Sequence, residues 1–154
     1  MKMTDLLQPQ AVLPALRATS KKHVFQDIAN RMGDVYGVDP RRVCEGLIAR
    51  ERLGSTAMGS GVAIPHARIE GVDRIAGLLA RLETPVEFDA ADGKGVDLMF
   101  VLLAPDDAGA DHLRALARIS RLFRDADLRA KLRQTGTASA LYALMTEPSA
   151  SRAA

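Results

Sequence analysis

The chain contains 154 residues, of which 47% are hydrophobic and 26% are charged. This balance is typical of a folded globular protein rather than a disordered one. The length suits one domain over residues 1–154, ordered over about residues 5–147. The net charge is only +2, and the arginines are scattered rather than clustered with aromatic residues, so nucleic-acid binding is not expected.

The sequence also argues against a secreted or membrane protein. Cys44 is the single cysteine, which excludes an intrachain disulfide and fits a reducing compartment. The opening MKMTDLL has no hydrophobic signal core. The longest apolar run, residues 98–104, is far shorter than the ~20 residues that span a bilayer. We therefore expect a cytoplasmic protein with no membrane insertion.

The first half of the chain predicts one strand and two helices. Pro14 cannot donate to a sheet ladder, so it indicates that the strand lies at an edge. Asp39 followed by Pro40 is a helix start, with Asp as the cap and Pro at the first helical position. The predicted elements are a strand at 11–18, a helix from 20 or 21 to the glycines at 33 and 37, and a helix from 39 to 54.

The second half predicts three consecutive strands and then helices: strands at 62–69, 75–82 and 96–104, and helices at 111–123, at 127–133 and from 137 onward. The strand at 96–104 is almost entirely apolar, as expected when both faces are buried. The small, polar tail 147–154 is expected to fray. The order β-α-α-β-β-β-α-α-α predicts an α/β layered domain around a mixed sheet.

Residues 54–68 read GSTAMGSGVAIPHAR, a glycine-rich loop leading into a predicted strand. No Gly-Lys-Ser/Thr follows, so this is not a nucleotide-binding P-loop. The loop also follows a helix and enters a strand, which is the reverse of the dinucleotide-binding arrangement. Taken alone, it is an ordinary flexible connection.

His66 stands directly after Pro65, which holds this part of the strand near an edge or an end. On position alone, an exposed or structural histidine is the more common case. Metal binding is one alternative, but His23, His66 and His112 have no paired-ligand spacing and Cys44 has no cysteine partner. We therefore expect no metal and no cofactor.

Nucleophilic catalysis by a neutral imidazole needs fewer groups than a metal site. A cation must neutralise the oxygens of the transferred phosphoryl group, and loop N–H groups can add to this. His112, at the start of a predicted helix, can orient a second histidine or a phosphoryl oxygen. The other residue types that such a site uses are present at Arg50, Ser55, Thr56, His66 and Arg68.

Several segments together carry a family resemblance: RERLGST (50–56), the glycines at 59 and 61, AIPHAR (63–68), SKK (20–22), LETPVEFD (82–89), VDLMFVLLAP (96–105), DHL (111–113) and LARISRL (116–122). They closely resemble enzyme IIA of the bacterial phosphotransferase system, in the fructose/mannitol-type superfamily and its nitrogen-regulatory branch. The resemblance runs almost end to end. It implies a three-layer α/β/α domain around a mixed β-sheet.

The resemblance also implies a phosphocarrier. An HPr-like protein would donate a phosphoryl group to His66. Arg50 matches the arginine that stabilises charge in the transition state, and His112 matches the supporting histidine. Ser55, Thr56 and Arg68 would belong to the pocket. Docking of the donor would require an apolar rim around His66.

Two features of the sequence leave questions open. The family often has glycine after the Ser-Thr pair, whereas Ala57 stands here, and a positive φ at this position would strain alanine by about 1 kcal/mol. In addition, 154 residues leave room for one such domain only. This favours a regulator acting on kinases, transporters or enzymes, with a stand-alone sugar-specific subunit that passes phosphate to a IIB domain as the alternative.

Two other classes of function remain. A binding module could regulate partners by docking without being phosphorylated, although the presence of both Arg50 and His66 argues against it. A metal-dependent hydrolase using His66 and His112 would require stoichiometric zinc in the purified protein.

Overall fold

A computed structural model describes residues 1–147, so the predicted fraying of residues 148–154 lies outside the described part of the chain. The helices and strands run α1 (Met3–Leu6), β1 (Leu7–Leu16), α2 (Lys21–Tyr36), α3 (Pro40–Arg52), β2 (Ala57–Gly59), β3 (Val62–Ala63), β4 (His66–Ile69), β5 (Ala76–Val86), β6 (Val96–Pro105), α4 (Ala110–Phe123), α5 (Ala126–Gln134) and α6 (Ala138–Thr146).

The six strands form one mixed sheet, as predicted. Its order is β1-β5-β6-β3-β2, and β4 also pairs with β6. Strand β5 runs parallel to β1 and antiparallel to β6, while β3 and β4 both run parallel to β6. Strand β1 lies at one edge of this path, which confirms the position that Pro14 indicated.

Helices cover both faces of the sheet and give it three layers. Ala67 and Ile69 of β4 lie against Gly46 of α3. Ala67 and Ile69 pair with Leu103 and Pro105 of β6. Successive side chains of a strand point to opposite faces, so Phe100 lies on the face opposite to these residues. There the Phe100 ring meets Phe123 of α4, with centroids 6.4 Å apart.

The two central strands carry most of the sheet's apolar burial. Residues 98–104 of β6 are all fully buried, and residues 76–80 of β5 are buried as well. This confirms the prediction that the apolar strand near residue 100 is covered on both faces. The site described below lies to one side of this pair, where the strands are short.

Capping side chains define the starts of the two helices that precede β2. The Ser20 hydroxyl accepts from the backbone N–H of His23 at 3.1 Å. Asp39 accepts from the N–H of Arg41 at 3.0 Å, and Pro40 occupies the first helical position. Both helix starts are as predicted, and α3 ends with Arg50 in its last turn.

The strand predicted at 62–69 is wrong as a single element. It is two strands, β3 and β4, separated by Ile64 and Pro65. Both pair with β6, β3 at Leu98 and Met99 and β4 from Leu102 onward. Proline has no N–H to donate, and its carbonyl instead accepts from the N–H of Leu102 at 3.0 Å.

Other differences concern short elements and strand ends. The predicted order omits α1 and β2, which have four and three residues. Such segments are too short for a periodic pattern to identify them. The first strand covers Leu7–Leu16 rather than 11–18, and β5 continues to Val86 rather than ending at 82. Some of the additional residues are polar, so they do not continue the apolar pattern from which the strand ends are predicted.

None of the helices in residues 1–147 is long and apolar enough to cross a bilayer.

Candidate functional site

His66 is the first residue of β4 and is half-buried. Its Nε2 accepts a hydrogen bond from Arg50 Nε at 3.3 Å, and its Nδ1 lies 2.9 Å from the carbonyl oxygen of Ile64. A carbonyl can only accept, so the proton of the neutral ring lies on Nδ1. The Nε2 lone pair is therefore the reactive position of this imidazole, and it lies beside a guanidinium.

Arg50 reaches His66 from the last turn of α3. Its Nη1 donates to the carbonyl of Gly54 at 2.9 Å, just beyond the end of the helix. Two nitrogens of one planar group are thus bound in fixed directions. The guanidinium is therefore held at the imidazole.

His112 lies in the first turn of α4 and is only 5% exposed. Its ring centroid is 5.7 Å from that of His66, with the two planes inclined by 69°. Arg68 Nε donates to His112 Nδ1 at 3.4 Å, so the proton of the neutral His112 ring lies on Nε2. Within residues 1–147, that Nε2 is buried and has no hydrogen-bond partner.

Both histidines are held neutral. Burial lowers the pKa of His66, the bond to the Ile64 carbonyl opposes this shift, and the Arg50 charge adds to it. The pKa of His112 is lowered by burial, then by His66 and Arg68. A neutral imidazole is the nucleophilic form, so the site is suited to attack by His66 at neutral pH.

The hydroxyls of Ser55 and Thr56 bind within the loop. Ser55 Oγ donates to the carbonyl of Phe88 and accepts from the N–H of Ala57 at 3.1 Å. Thr56 Oγ1 donates to Glu51 at 2.6 Å. The N–H groups of Thr56 and Ser60 are also bonded, to Glu51 and Asp92. These loop donors shape the pocket wall and are already occupied.

Glu51, which is not among the site residues predicted from the sequence, is a buried carboxylate. Its side chain is 4% exposed, and it accepts from Lys21 Nζ at 3.2 Å as well as from Thr56. The sequence did contain a signal. Val43, Leu47 and Glu51 are spaced by four residues, so Glu51 continues the buried stripe of α3.

The doubt about Ala57 is removed. Ala57 lies in β2, paired with Ala63, and does not have a positive φ. Ser60 has the left-handed conformation instead, with φ 58°, between two glycines of positive φ. The loop therefore makes its tight turn three residues later than the position where the family often has glycine.

Exposed apolar side chains lie next in the chain to the site residues. Leu53 is 84% exposed and follows Arg50 by three residues, and Leu113 is 65% exposed beside His112. Exposed leucines are the type of side chain that an apolar rim requires, and the rim around His66 stays a prediction. No group of three or more His, Cys, Asp or Glu residues in the described chain is arranged to hold a metal ion.

Comparisons with known proteins give one consistent result. The family model described as "Phosphoenolpyruvate-dependent sugar phosphotransferase system, EIIA 2" matches residues 5–147. A protein of Bradyrhizobium diazoefficiens named "Nitrogen regulatory protein" is 50% identical over 99% of this chain and 100% of its own length. One of the same name from Pseudomonas aeruginosa is 40% identical over 95% of this chain and 96% of its own.

A solved structure gives the same result. The crystal structure of Nitrogen Regulatory Protein IIA-Ntr from Neisseria meningitidis superposes with a TM-score of 0.88. It is 35% identical, and the match covers 94% of this chain and 99% of that one. The mixed sheet with helices on both faces is therefore the IIA-Ntr fold.

Proposed function

The chain belongs to the EIIA 2 family of the phosphoenolpyruvate-dependent sugar phosphotransferase system, and from this premise we propose that it accepts a phosphoryl group on His66 Nε2 from an HPr-like carrier. One observation carries the proposal: the His66 ring donates its proton to the Ile64 carbonyl, and the lone pair on its other nitrogen accepts from the Arg50 guanidinium. Both donor and acceptor are protein side chains, so the proposed transfer needs no cofactor or metal.

The proposed transfer is an in-line displacement at phosphorus. The Nε2 lone pair of His66 forms the new N–P bond, and the N–P bond of the donor phosphohistidine breaks. The donor ring, protonated on its other nitrogen, keeps the electron pair and leaves as a neutral imidazole. His66 retains its proton on Nδ1, so the total charge is unchanged.

Arg50 and His112 would stabilise the charge on the phosphoryl oxygens. The Arg50 guanidinium already contacts the attacking nitrogen at 3.3 Å, so it can move to an equatorial oxygen as the new bond forms. The buried Nε2–H of His112 can donate to another oxygen, and Arg68 keeps it in that tautomer. Because this N–H group has no partner among residues 1–147 of the unphosphorylated protein, it is available to a phosphoryl oxygen that is present only during the transfer.

The output is proposed to be regulatory, acting on kinases, transporters or enzymes from the cytoplasm. Two relatives named "Nitrogen regulatory protein" are matched over almost their whole length, which favours this branch. The alternative is a stand-alone fructose-type subunit that passes phosphate to a IIB domain. Transfer of label from this protein to a sugar-specific IIB domain would favour the alternative.

The test is a reconstituted relay of enzyme I, an HPr-type carrier and labelled phosphoenolpyruvate. We expect a stoichiometric, acid-labile and base-stable label on the wild-type protein. The label should be absent from His66→Ala and present, but acquired more slowly, in His112→Ala. His23→Ala is the matched control, because His23 lies on the exposed part of α2 next to Asp27 and should label normally.

Label that persists without His66 would refute the proposal. A folded wild-type protein that takes no label would favour a docking module that is not phosphorylated. Stoichiometric zinc in the purified protein, together with hydrolytic activity that depends on His66 and His112, would favour a metal-dependent hydrolase.

A further inference from the structure

Glu51 is linked in space to the proton-bearing nitrogen of His66 through the backbones of two residues, Thr56 and Ile64. Its Oε2 accepts from the N–H of Thr56 at 3.0 Å. The carbonyl of Thr56 accepts from the N–H of Ile64 at 3.1 Å, and the carbonyl of Ile64 accepts from His66 Nδ1 at 2.9 Å. The N–H and the carbonyl of Thr56, like those of Ile64, belong to different amide groups, so these three hydrogen bonds fix the positions of the segments between the imidazole and the carboxylate.

Glu51 is also connected to the reactive nitrogen. It is the chain neighbour of Arg50, whose Nε donates to His66 Nε2. Lys21 at the start of α2 and the Thr56 hydroxyl bind the Glu51 carboxylate, which fixes the last turn of α3 against two other segments. The backbone from which Arg50 extends is therefore held by its buried neighbour.

A carboxylate suits this position better than any neutral side chain. All three partners of Glu51 are donors: an ammonium, a backbone N–H and a hydroxyl that donates. A glutamine could keep the three contacts only if its NH2 donated to the Thr56 hydroxyl, which would then have to accept, and it would leave the Lys21 ammonium without an opposing charge.

We propose that Glu51 is a positioning residue for phosphoryl acceptance, which keeps the proton of His66 on Nδ1 and holds Arg50 at Nε2. The effect on the transfer rate rests on the proposed function. The effect on the His66 tautomer is a property of the unphosphorylated protein and does not depend on any donor.

The experiment compares wild type, Glu51→Gln and a matched control, Glu45→Gln. Glu45 lies on the same helix but is 67% exposed and paired with Arg41. Nitrogen-15 NMR of labelled histidine reports which ring nitrogen of His66 carries the proton. Wild type and Glu45→Gln should have the proton on Nδ1, whereas Glu51→Gln should populate both tautomers.

Two further readouts separate positioning from stability. The Glu51 charge raises the pKa of His66, so that pKa should be lower in Glu51→Gln than in wild type. The rate of phosphoryl acceptance per folded molecule should fall by about 100-fold, the size of effect expected from a misplaced reacting group. Glu45→Gln should leave both quantities unchanged.

A wild-type tautomer ratio in folded Glu51→Gln, with a rate lowered only in proportion to the unfolded fraction, would overturn the proposal. If Glu51→Gln does not fold, Thr56→Val removes one donor to Glu51 with less disturbance. It should shift the tautomer ratio in the same direction by a smaller amount, and no shift would equally overturn the proposal. If the wild-type protein takes no phosphoryl group, the proposed function fails while the NMR comparison still decides the role of Glu51.

Discussion

The middle of the sheet and its β2–β4 edge are held together by different interactions. In the middle, β5 and β6 bury apolar side chains against helices on both faces. At the edge, strands of two to four residues depend on side chains that bind the backbone. Arg133, for example, bonds both Asp97 and the carbonyl of Ser60.

The difference indicates where stability and chemistry reside. Apolar burial provides most of the free energy of folding, and residues 98–104 of β6 contribute to it with apolar side chains only. A polar network contributes less net stability, but it fixes directions. Half-buried His66 needs a fixed direction more than a deep core, and it lies where the strand is interrupted by Pro65.

The largest effect on stability is expected from Phe100→Ala in the middle of the sheet. The Phe100 ring is fully buried against Phe123, so its removal leaves a cavity. The free energy of unfolding should fall by about 3–5 kcal/mol, measured by urea denaturation. The rate of phosphoryl acceptance per folded molecule should not change. A loss below about 1 kcal/mol would mean that the middle does not dominate stability.

Arg50→Lys, at the β2–β4 edge, should slow phosphoryl acceptance with little change in stability. Lysine keeps the charge but cannot bind His66 and Gly54 with two nitrogens of one plane. Phosphoryl acceptance, measured by rapid quench, should slow by about 100-fold, while the free energy of unfolding changes by less than about 0.5 kcal/mol. The neighbouring Arg52→Lys is the control, since Arg52 is exposed, and equal slowing in both variants would contradict this assignment.

Lowering the pH is expected to reduce the free energy of unfolding by a smaller amount. The folded state lowers the pKa values of His66 and His112, so the unfolded state binds protons more readily. Stability should therefore fall as the pH drops from about 6.5, the ordinary histidine pKa, toward the lowered folded-state values.

The acid effect can be assigned by urea midpoints measured across this pH range. His112→Gln should lose part of the slope, because one of the two buried rings no longer titrates. An unchanged slope in His112→Gln would show that this ring does not contribute.

The smallest effects are expected in the β2–β3 hairpin and should have opposite signs. Ser60 has a φ of 58°, so Ser60→Gly should raise the free energy of unfolding by about 0.5–1 kcal/mol. Ala57 is in a strand, so Ala57→Gly should lower it by a similar amount, about 0.5–1 kcal/mol. Thermal denaturation measures both, and equal signs would contradict the description of the turn.

The long elements could be predicted from the sequence because their signals are local. Asp39-Pro40 marks the start of α3 through chemistry within one turn, and the apolar run around Phe100 identifies a strand covered on both faces. The short strand β2 could not be predicted, and β3 was predicted only as part of one strand at 62–69. Strand β3 pairs with β6, more than thirty residues later in the chain, and β2 pairs with β3. Segments of two or three residues are too short to show a period.

The candidate site could be predicted in its residue types but not in its connections. His66, Arg50 and His112 come together in space, and their proposed roles remain to be tested by the labelling experiment. The role of Glu51 in the hydrogen-bond network depends on Lys21 and Thr56, which lie on other segments. The free Nε2–H of His112 likewise depends on Arg68 occupying the other nitrogen, which only the packed structure reveals.

The hydrogen bond from His66 to residue 64 uses a main-chain carbonyl. A carbonyl of this kind is present whatever side chain residue 64 carries, has no net charge and does not titrate. Mutation at residue 64 can therefore change packing without removing the acceptor. The choice of reacting nitrogen therefore depends on the path of the backbone at residue 64 and not on the side chain that this residue carries.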